Sequence, residues 1–219
     1  MSAKKRNRSG ESVKERGLPH VPSYKQWHRK PLLACGAMHC CDRIRAINLN
    51  FTEETMRIRP YQNKDFNTIS QWITEERSHA LWCANLIPYP LEKIGFDDLL
   101  QEAEERFGDS PFVATTDDGQ LVGFFCFSVN LNTNEGMLKF VVVDNAIRNK
   151  GYGCEMIKLA VKYAFEIAKA DAVQLNVFPE NPGAKKCYEK AGFKERTLTE
   201  NAFRFKDELW GRCNMVITR

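Results

Sequence analysis

The chain has 219 residues, 43% hydrophobic and 27% charged, with a formal net charge of +4. Those proportions are typical of a soluble globular enzyme. No apolar run approaches the ~18 residues that a membrane-spanning helix needs, so a helical membrane protein is excluded.

Charge divides the sequence. Residues 1–55 hold 11 Lys/Arg against 5 Asp/Glu, whereas residues 56–219 hold 21 against 23. The first stretch shows little apolar periodicity and reads as a basic, disordered extension. The expected organisation is therefore an extension over 1–55 and a folded domain over 56–219. A basic arm suits an RNA or ribosome contact. A flexible tail without a role explains it as well, and the near-neutral domain argues against nucleic-acid recognition. Leu32-Leu33-Ala34-Cys35 looks superficially like a lipoprotein cleavage site, but Arg29 and Lys30 stand where its apolar segment belongs. Cys35, His39, Cys40 and Cys41 match no standard zinc spacing, so no metal is expected. Cys126, Cys154, Cys187 and Cys213 fall inside predicted strands and helices, and no secretory signal accompanies them. Free thiols in a reducing cytoplasm follow.

Met56-Arg57-Ile58-Arg59-Pro60 reads as the first strand of the domain. Asn63–Thr74 predicts a helix, with Phe66, Ile69, Trp72 and Ile73 on one side. Ser78–Pro90 reads as irregular and rich in aromatics. Leu91–Phe107 predicts a helix whose start Gly95 delays. Three strands follow, Pro111–Thr116, Leu121–Asn130 and Gly136–Asp144. The turns between them, Asp118-Gly119 and Asn134-Glu135-Gly136, are short enough to make the run antiparallel.

The next segment, Val141-Val142-Val143-Asp144-Asn145-Ala146-Ile147-Arg148-Asn149-Lys150-Gly151-Tyr152-Gly153, is a buried strand, a turn and a basic glycine loop that opens a helix. The first turn of a helix carries amide N–H groups without intrahelical partners, and the helix dipole adds positive character there. Gly151 and Gly153 remove side chains, so an anion can approach the backbone. Arg148 and Lys150 add full charges. Together they form a cradle for a phosphate or pyrophosphate. The spacing is neither that of a P-loop nor that of a dinucleotide fingerprint. Met156, Ile157, Ala160, Val161, Ala164, Phe165 and Ala168 then mark the apolar face of an amphipathic helix. A strand follows over Ala172–Phe178. A second helix is capped by Asn181, started by Pro182 and ended before Gly192. Phe193–Leu198 reads as another strand.

Arg148-x-x-Gly151-x-Gly153, followed by Asn181-x-x-Ala184-x-x-x-Tyr188-Glu189-Lys190-x-Gly192-Phe193, resembles the GNAT superfamily of acyl-CoA-dependent N-acetyltransferases. The resemblance runs from about Met56 to the C-terminus. It departs at Ala146-Ile147, where a Pro-containing turn is more usual, and at Asn149, where a small residue is common. It implies a mixed α/β fold, mostly antiparallel, with helices on both sides and one splayed parallel strand pair that holds CoA. It also implies acetyl transfer from acetyl-CoA, as co-substrate, to a primary amine of a small molecule or a protein N-terminus. On that resemblance, Val141, Val142 and Val143 line the cleft, with backbone groups pairing the pantetheine amides. Arg148, Asn149, Lys150, Gly151, Tyr152 and Gly153 take the pyrophosphate. Asn181 both caps its helix and contacts pantetheine, or only caps. Asn176, polar in an apolar strand, points into the cleft or lies at a solvated edge.

Tyr188 is the candidate catalytic side chain, an acid for the leaving CoA thiolate; the alternative is aromatic packing. Glu135, Asp144 and His79 are candidate bases, each with a simpler explanation, and none is assigned. The acceptor site is expected near Ser78–Pro90, where Trp82 and Tyr89, with Leu86 and Ile87, line a slot or pack the helices. A homodimer is compatible with this architecture. Two other readings compete: a CoA-binding regulatory module without turnover, and a ribosome- or RNA-associated protein using its basic arm.

Overall fold

The computed structural model describes residues 56–219. The basic extension 1–55, with Cys35, His39, Cys40 and Cys41, lies outside the described residues. Seven strands form one sheet in the order β1-β2-β3-β4-β5-β7-β6. In chain order the elements begin with β1 (Arg57–Pro60), a helical run containing α1 (Phe66–Ile69), α2 (Glu76–Cys83) and α3 (Lys93–Phe107). Then come β2 (Ser110–Thr115), β3 (Leu121–Asn130), β4 (Glu135–Val143) and α4 (Tyr152–Glu166). The chain ends with β5 (Ala172–Val177), α5 (Pro182–Lys190), β6 (Lys194–Phe205) and β7 (Glu208–Thr218). Every neighbouring pair is antiparallel except β4–β5, which is parallel. This is the mixed α/β sheet with one parallel pair that the motifs implied. No helix among the described residues is long and apolar enough to cross a membrane.

Strand alternation feeds a core on each face of the sheet. Phe125 and Phe127 of β3 join Met156, Ile157, Leu159, Ala160 and Ala164 of α4 on one face. Phe124 and Cys126, their neighbours in sequence, meet Phe66, Ile69, Trp72, Phe96 and Leu99 on the other. Each large apolar side chain fully buried this way contributes about 1.5–3 kcal/mol, so α4 is held by its packed face more than by its sequence propensity. A third cluster joins α2 to the β6–β7 hairpin through Ala80, Phe205 and Trp210.

Some elements differ from expectation, each for a physical reason. The helix expected over Asn63–Thr74 is a short α-turn flanked by 3₁₀ turns at Asn63–Asp65 and Ser70–Trp72. Phe66, Ile69 and Trp72 are spaced by three, and side chains at i and i+3 eclipse in a 3₁₀ helix. The segment read as irregular, Ser78–Pro90, contains most of α2. Its inward residues are His79, Ala80 and Cys83, small or polar side chains that conceal a helical face. Gly95 does not delay α3, which starts at Lys93; a side chain there would sit 3.9 Å from Ile87 Cβ, so the glycine lets the helix approach the preceding loop. The strand expected over Phe193–Leu198 runs on to Phe205, crossing register shifts on its way.

The defining irregularity is in β4. Phe124 pairs with Val142 and Cys126 with Lys139, so Phe125 faces two residues, Phe140 and Val141. This is a β-bulge, and Phe140 adopts φ +50°, in the left-handed region. One extra residue reverses the alternation. Leu138 points to the α4 side, whereas Phe140 and Val142 point to the α3 side. Beyond the bulge, β4 leaves β5. Their pairing runs from Glu135↔Ala172 to Leu138↔Leu175 and stops there, although β4 continues to Val143 and β5 to Val177. A V-shaped gap opens between the two strand ends.

Two contacts brace the bulge. Trp82 Nε1 donates to Phe140 O at 2.8 Å, which ties α2 to the strained residue. Lys139 Nζ donates to both Asp109 oxygens at 2.8 and 2.7 Å and lies 4.2 Å from the Phe107 ring centroid. The side chains of Lys139 and Asp109 are only 9% and 1% exposed, so each charge depends on the other. Asp109→Ala should therefore lower unfolding stability by about 3–5 kcal/mol, because it strands a buried ammonium. Urea denaturation would measure this. The double variant Asp109→Ala/Lys139→Met, which removes both charges, should recover most of the loss.

Candidate active site

The glycine loop closes the open end of the V. Asp144 Oδ1 accepts from Ala146 N at 2.9 Å and fixes the turn after β4. Two left-handed residues, Asn149 at φ +65° and Gly151 at φ +95°, then carry the chain into α4. Asparagine tolerates that conformation better than most residues. The backbone at 151 favours glycine, and a side chain there would meet nothing within 4 Å. Gly153 is different. A Cβ on it would sit 3.4 Å from Val143 Cγ2 and 3.7 Å from Cys187 Sγ. Its missing side chain permits close packing of α4 on β4 and α5, whereas Gly151 leaves space towards solvent.

The two helices around the V are capped in opposite ways. Asn181 Oδ1 accepts from Ala184 N at 3.2 Å at the start of α5. Gly151, the N-cap of α4, supplies no side-chain hydrogen bond. The first helical bond of α4 runs from Glu155 N to Gly151 O, so the amides of Tyr152, Gly153 and Cys154 precede the helical ladder. Arg148, Asn149, Lys150 and Gly151 are exposed beside them. An uncapped first turn, an open glycine and two cations make a site for an anionic group.

The walls of the V are backbone. Asp144 N donates to Val122 O at 3.1 Å, towards β3. Strand alternation then turns the amides of Val143 and Val141 to the opposite edge, facing the gap. Their side chains pack on the α4-side core and that of Val142 on the other. Tyr188, on α5, is buried in the same core as the residues under the loop, with its ring edge-on to Phe193 at 6.2 Å. Burial, and then the neighbouring Cys187, push its phenol well above the usual value, so the hydroxyl keeps its proton. The Asn181 backbone N–H donates to Phe178 O at 2.9 Å, and its Oδ1 serves the cap. Its remaining donor is the Nδ2 group.

Other candidates lie elsewhere. Asn176 is exposed on the face away from α4, where its Oδ1 accepts from Asn214 Nδ2 at 3.1 Å. That contact belongs to a polar ladder below the V. Arg196 donates to Glu135, Gln174 and Asn214 at 3.0, 2.6 and 2.7 Å, and Gln174 donates to Glu135 at 2.6 Å. Both Glu135 oxygens are thus engaged. His79 is buried rather than exposed, stacked edge-on to Trp82 and Tyr89, and its burial lowers its pKa and favours a neutral ring. The Trp82 indole N–H is committed to the bulge. Tyr89 is 41% exposed, and its hydroxyl donates to Thr74 O at 2.7 Å.

One group was not singled out in the sequence. Glu180 Oε2, in the β5–α5 connection, is buried without a hydrogen-bond partner. Phe178 precedes it by two residues and packs on Phe203 and Trp210, and the Arg77 guanidinium lies 4.9 Å from the Trp210 ring. The available signal was position, because ligands collect beyond the carboxyl ends of parallel strands in open sheets.

The site thus joins an uncapped, basic helix start to a parted parallel strand pair. Residues 59–193 match the model of the acetyltransferase (GNAT) family, and the chain belongs to that family. Its members take acetyl-CoA as co-substrate. The probable N-acetyltransferase YjcK of Bacillus subtilis (strain 168) is 30% identical over 105 residues, which is 47% of this chain and 56% of that protein. The match thus spans little more than half of the curated relative. The spermidine N-acetyltransferase of Vibrio cholerae, in complex with CoA and spermine, has a similar fold with TM-score 0.64 at 20% identity, covering 74% of this chain and 95% of the other. The spermidine/spermine N-acetyltransferase SpeG of Vibrio cholerae, in complex with manganese ions, gives 0.58 at 19% identity, with 74% and 92% covered.

The two glycines should separate experimentally. Gly151→Val forces a β-branched residue into φ +95°, a strain of about 1–3 kcal/mol that falls on the cradle. Calorimetry should show CoA affinity reduced by roughly 5- to 150-fold, beyond the few degrees of melting temperature that such strain itself costs. Gly153→Val should instead lower the melting temperature, because its side chain enters the α4–β4–α5 contact.

Proposed function

We propose that this chain is an N-acetyltransferase that moves the acetyl group of acetyl-CoA directly to a primary amine of a small molecule or peptide. One observation carries the reading: the β4–β5 gap ends on the uncapped first turn of α4. The donor supplies an activated thioester carbonyl and a thiolate leaving group. The first-turn amides from Gly151 to Cys154, with Arg148 and Lys150, hold its pyrophosphate, and Asn149 and Tyr152 complete the loop. Val141 and Val143 pair with the pantetheine amides, with Val142 anchoring the strand behind them, and Asn181 Nδ2 adds a donor. Amides at the gap stabilise the negative charge that grows on the carbonyl oxygen during attack. Tyr188 gives its proton to the departing sulfur. Its raised pKa keeps that proton available across the working pH range.

Glu180 joins this reading as the group that meets the acceptor. A carboxylate oxygen shut away from water without a partner is costly, and a cationic amine relieves that cost with a charge-assisted hydrogen bond. The aromatic faces of Phe178, Phe203 and Trp210 suit the methylene chain of such an amine. The similar Vibrio cholerae structures, named as spermidine N-acetyltransferases, make polyamines the first acceptors to try.

Two variants test these roles. Tyr188→Phe keeps the ring and removes the proton; turnover, followed by released thiol, should fall about 10²–10⁴-fold while acetyl-CoA affinity holds. Normal turnover in Tyr188→Phe, with stability lost only in Tyr188→Ala, would make the residue a packing group. Glu180→Gln should raise KM for a cationic acceptor by roughly tenfold or more, the worth of a charged hydrogen bond. Acetyl-CoA affinity, read by calorimetry, should stay unchanged in that variant.

A further inference from the structure

Among the described residues, five cysteines are free, and three of them, Cys83, Cys126 and Cys213, are buried. The remaining two, Cys154 and Cys187, are partly exposed. They lie near one another across the α4–α5 contact, where Cys187 Sγ is 3.7 Å from the Cβ position of Gly153, the residue before Cys154. Lys158, one turn further along α4, lies beside both sulfurs and pairs with Glu155 at 3.1 Å. Cys154 supplies a first-turn amide of α4, and Cys187 directly precedes Tyr188.

We propose that Cys154 and Cys187 form a redox-modification site, in which a peroxide joins them as a disulfide that ties the first turn of α4 to α5 and weakens acyl-CoA binding. The effect on acyl-CoA rests on the function proposed above; formation of the crosslink does not.

The chemistry balances with hydrogen peroxide as oxidant. The Cys154 thiolate attacks one peroxide oxygen, the O–O bond breaks, and the hydroxide released leaves as water after taking a proton. Cys154 is then a sulfenic acid. The Cys187 sulfur attacks it, the S–S bond forms, and a second water departs with the hydroxyl and the Cys187 proton. Two thiols and one peroxide yield one disulfide and two waters. Burial pushes the Cys187 thiol up to about 12, which suits it to resolve rather than to attack first.

The geometric consequence follows from bond length. To form the bond the two sulfurs must close to about 2 Å. That movement draws the start of α4 towards α5, next to β4, where the Gly153 Cβ position is 3.4 Å from Val143 Cγ2. Val143 is a wall of the gap, and the Cys154 amide is part of the cradle, so both halves of the donor site shift together. A bound donor, holding that turn in place, should in turn slow the oxidation.

The test uses the full chain treated with hydrogen peroxide, with free thiols alkylated before non-reducing peptide mapping. A crosslinked peptide pair carrying Cys154 and Cys187, reversed by dithiothreitol, is expected. Calorimetry with CoA should show affinity reduced by roughly tenfold or more in the oxidised protein and restored on reduction. CoA present during oxidation should slow the crosslink. In Cys187→Ser, no crosslink forms at Cys154, and the affinity loss on oxidation should vanish. Recovery of both cysteines as separately alkylated peptides would overturn the proposal. So would a crosslink that leaves CoA affinity unchanged or tighter. Failure of the reduced protein to bind CoA would count against the acetyltransferase reading and remove the affinity half of the proposal, while the peptide map would still decide the crosslink.

Discussion

The parting of β4 from β5 is the constraint on which the rest of the structure depends. Two adjacent parallel strands ordinarily exhaust each other's hydrogen bonds, and a sheet with satisfied edges has nothing to offer a ligand. Here pairing ends at Leu138↔Leu175, and the ends of both strands keep unspent amide groups. Phe140 makes this possible by accepting a left-handed backbone, and Trp82 and the Lys139–Asp109 pair hold it there. The bulge also reassigns faces, so that Phe140 and Val142 anchor β4 in the opposite core while the amides of Val141 and Val143 face the opening. A local irregularity of one residue thus creates the gap and secures one of its walls.

The two helices that flank the gap divide the electrostatic work. The α5 start is self-sufficient, because Asn181 satisfies it from within the chain. The α4 start has no such cap, because Gly151 brings no side-chain acceptor. The contrast explains why similar strand-to-helix connections serve different ends. One is satisfied within the chain; the other is the end to which the proposed function assigns the charged tail of the donor. Tyr188 stands on the helix that Asn181 caps.

Much of this was legible in the amino-acid sequence, and the parts that were not share a cause. The run from Val141 to Gly153 and the segment from Asn181 to Phe193 are local patterns, and local chemistry sets them: glycine conformation, a capping side chain, a helix-starting proline. β3 was bounded correctly because both its faces are apolar and turns flank it. The helix α2 was hidden because its buried face is made of His79, Ala80 and Cys83, which no hydropathy pattern distinguishes from a loop. Trp82 and Glu135 looked available for a ligand because sequence shows a side chain's chemistry but not its partners. One proves to brace a bulge, and the other to sit in a ladder of hydrogen bonds. Glu180 was overlooked for the converse reason: the burial of its Oε2 without a hydrogen bond exists only once the chain is folded.

The ladder below the gap has a consequence for its shape. β4 and β5 share only four residue pairs, and parallel pairs are individually the weaker kind. Nothing in the backbone of so short a seam forbids it from opening further. Arg196, however, reaches from β6 to Glu135 on β4 and Gln174 on β5, and Asn214 on β7 joins from the other side. Four strands are laced together by side chains that run from Glu135, in the first pair of the seam, to Gln174, one position before the last. The lacing works as the stop on a zip, so the depth to which the sheet unfastens is a property of four polar residues on its uncovered face. Because those residues are partly open to solvent, ionic strength acts on that stop more readily than on anything in the two cores.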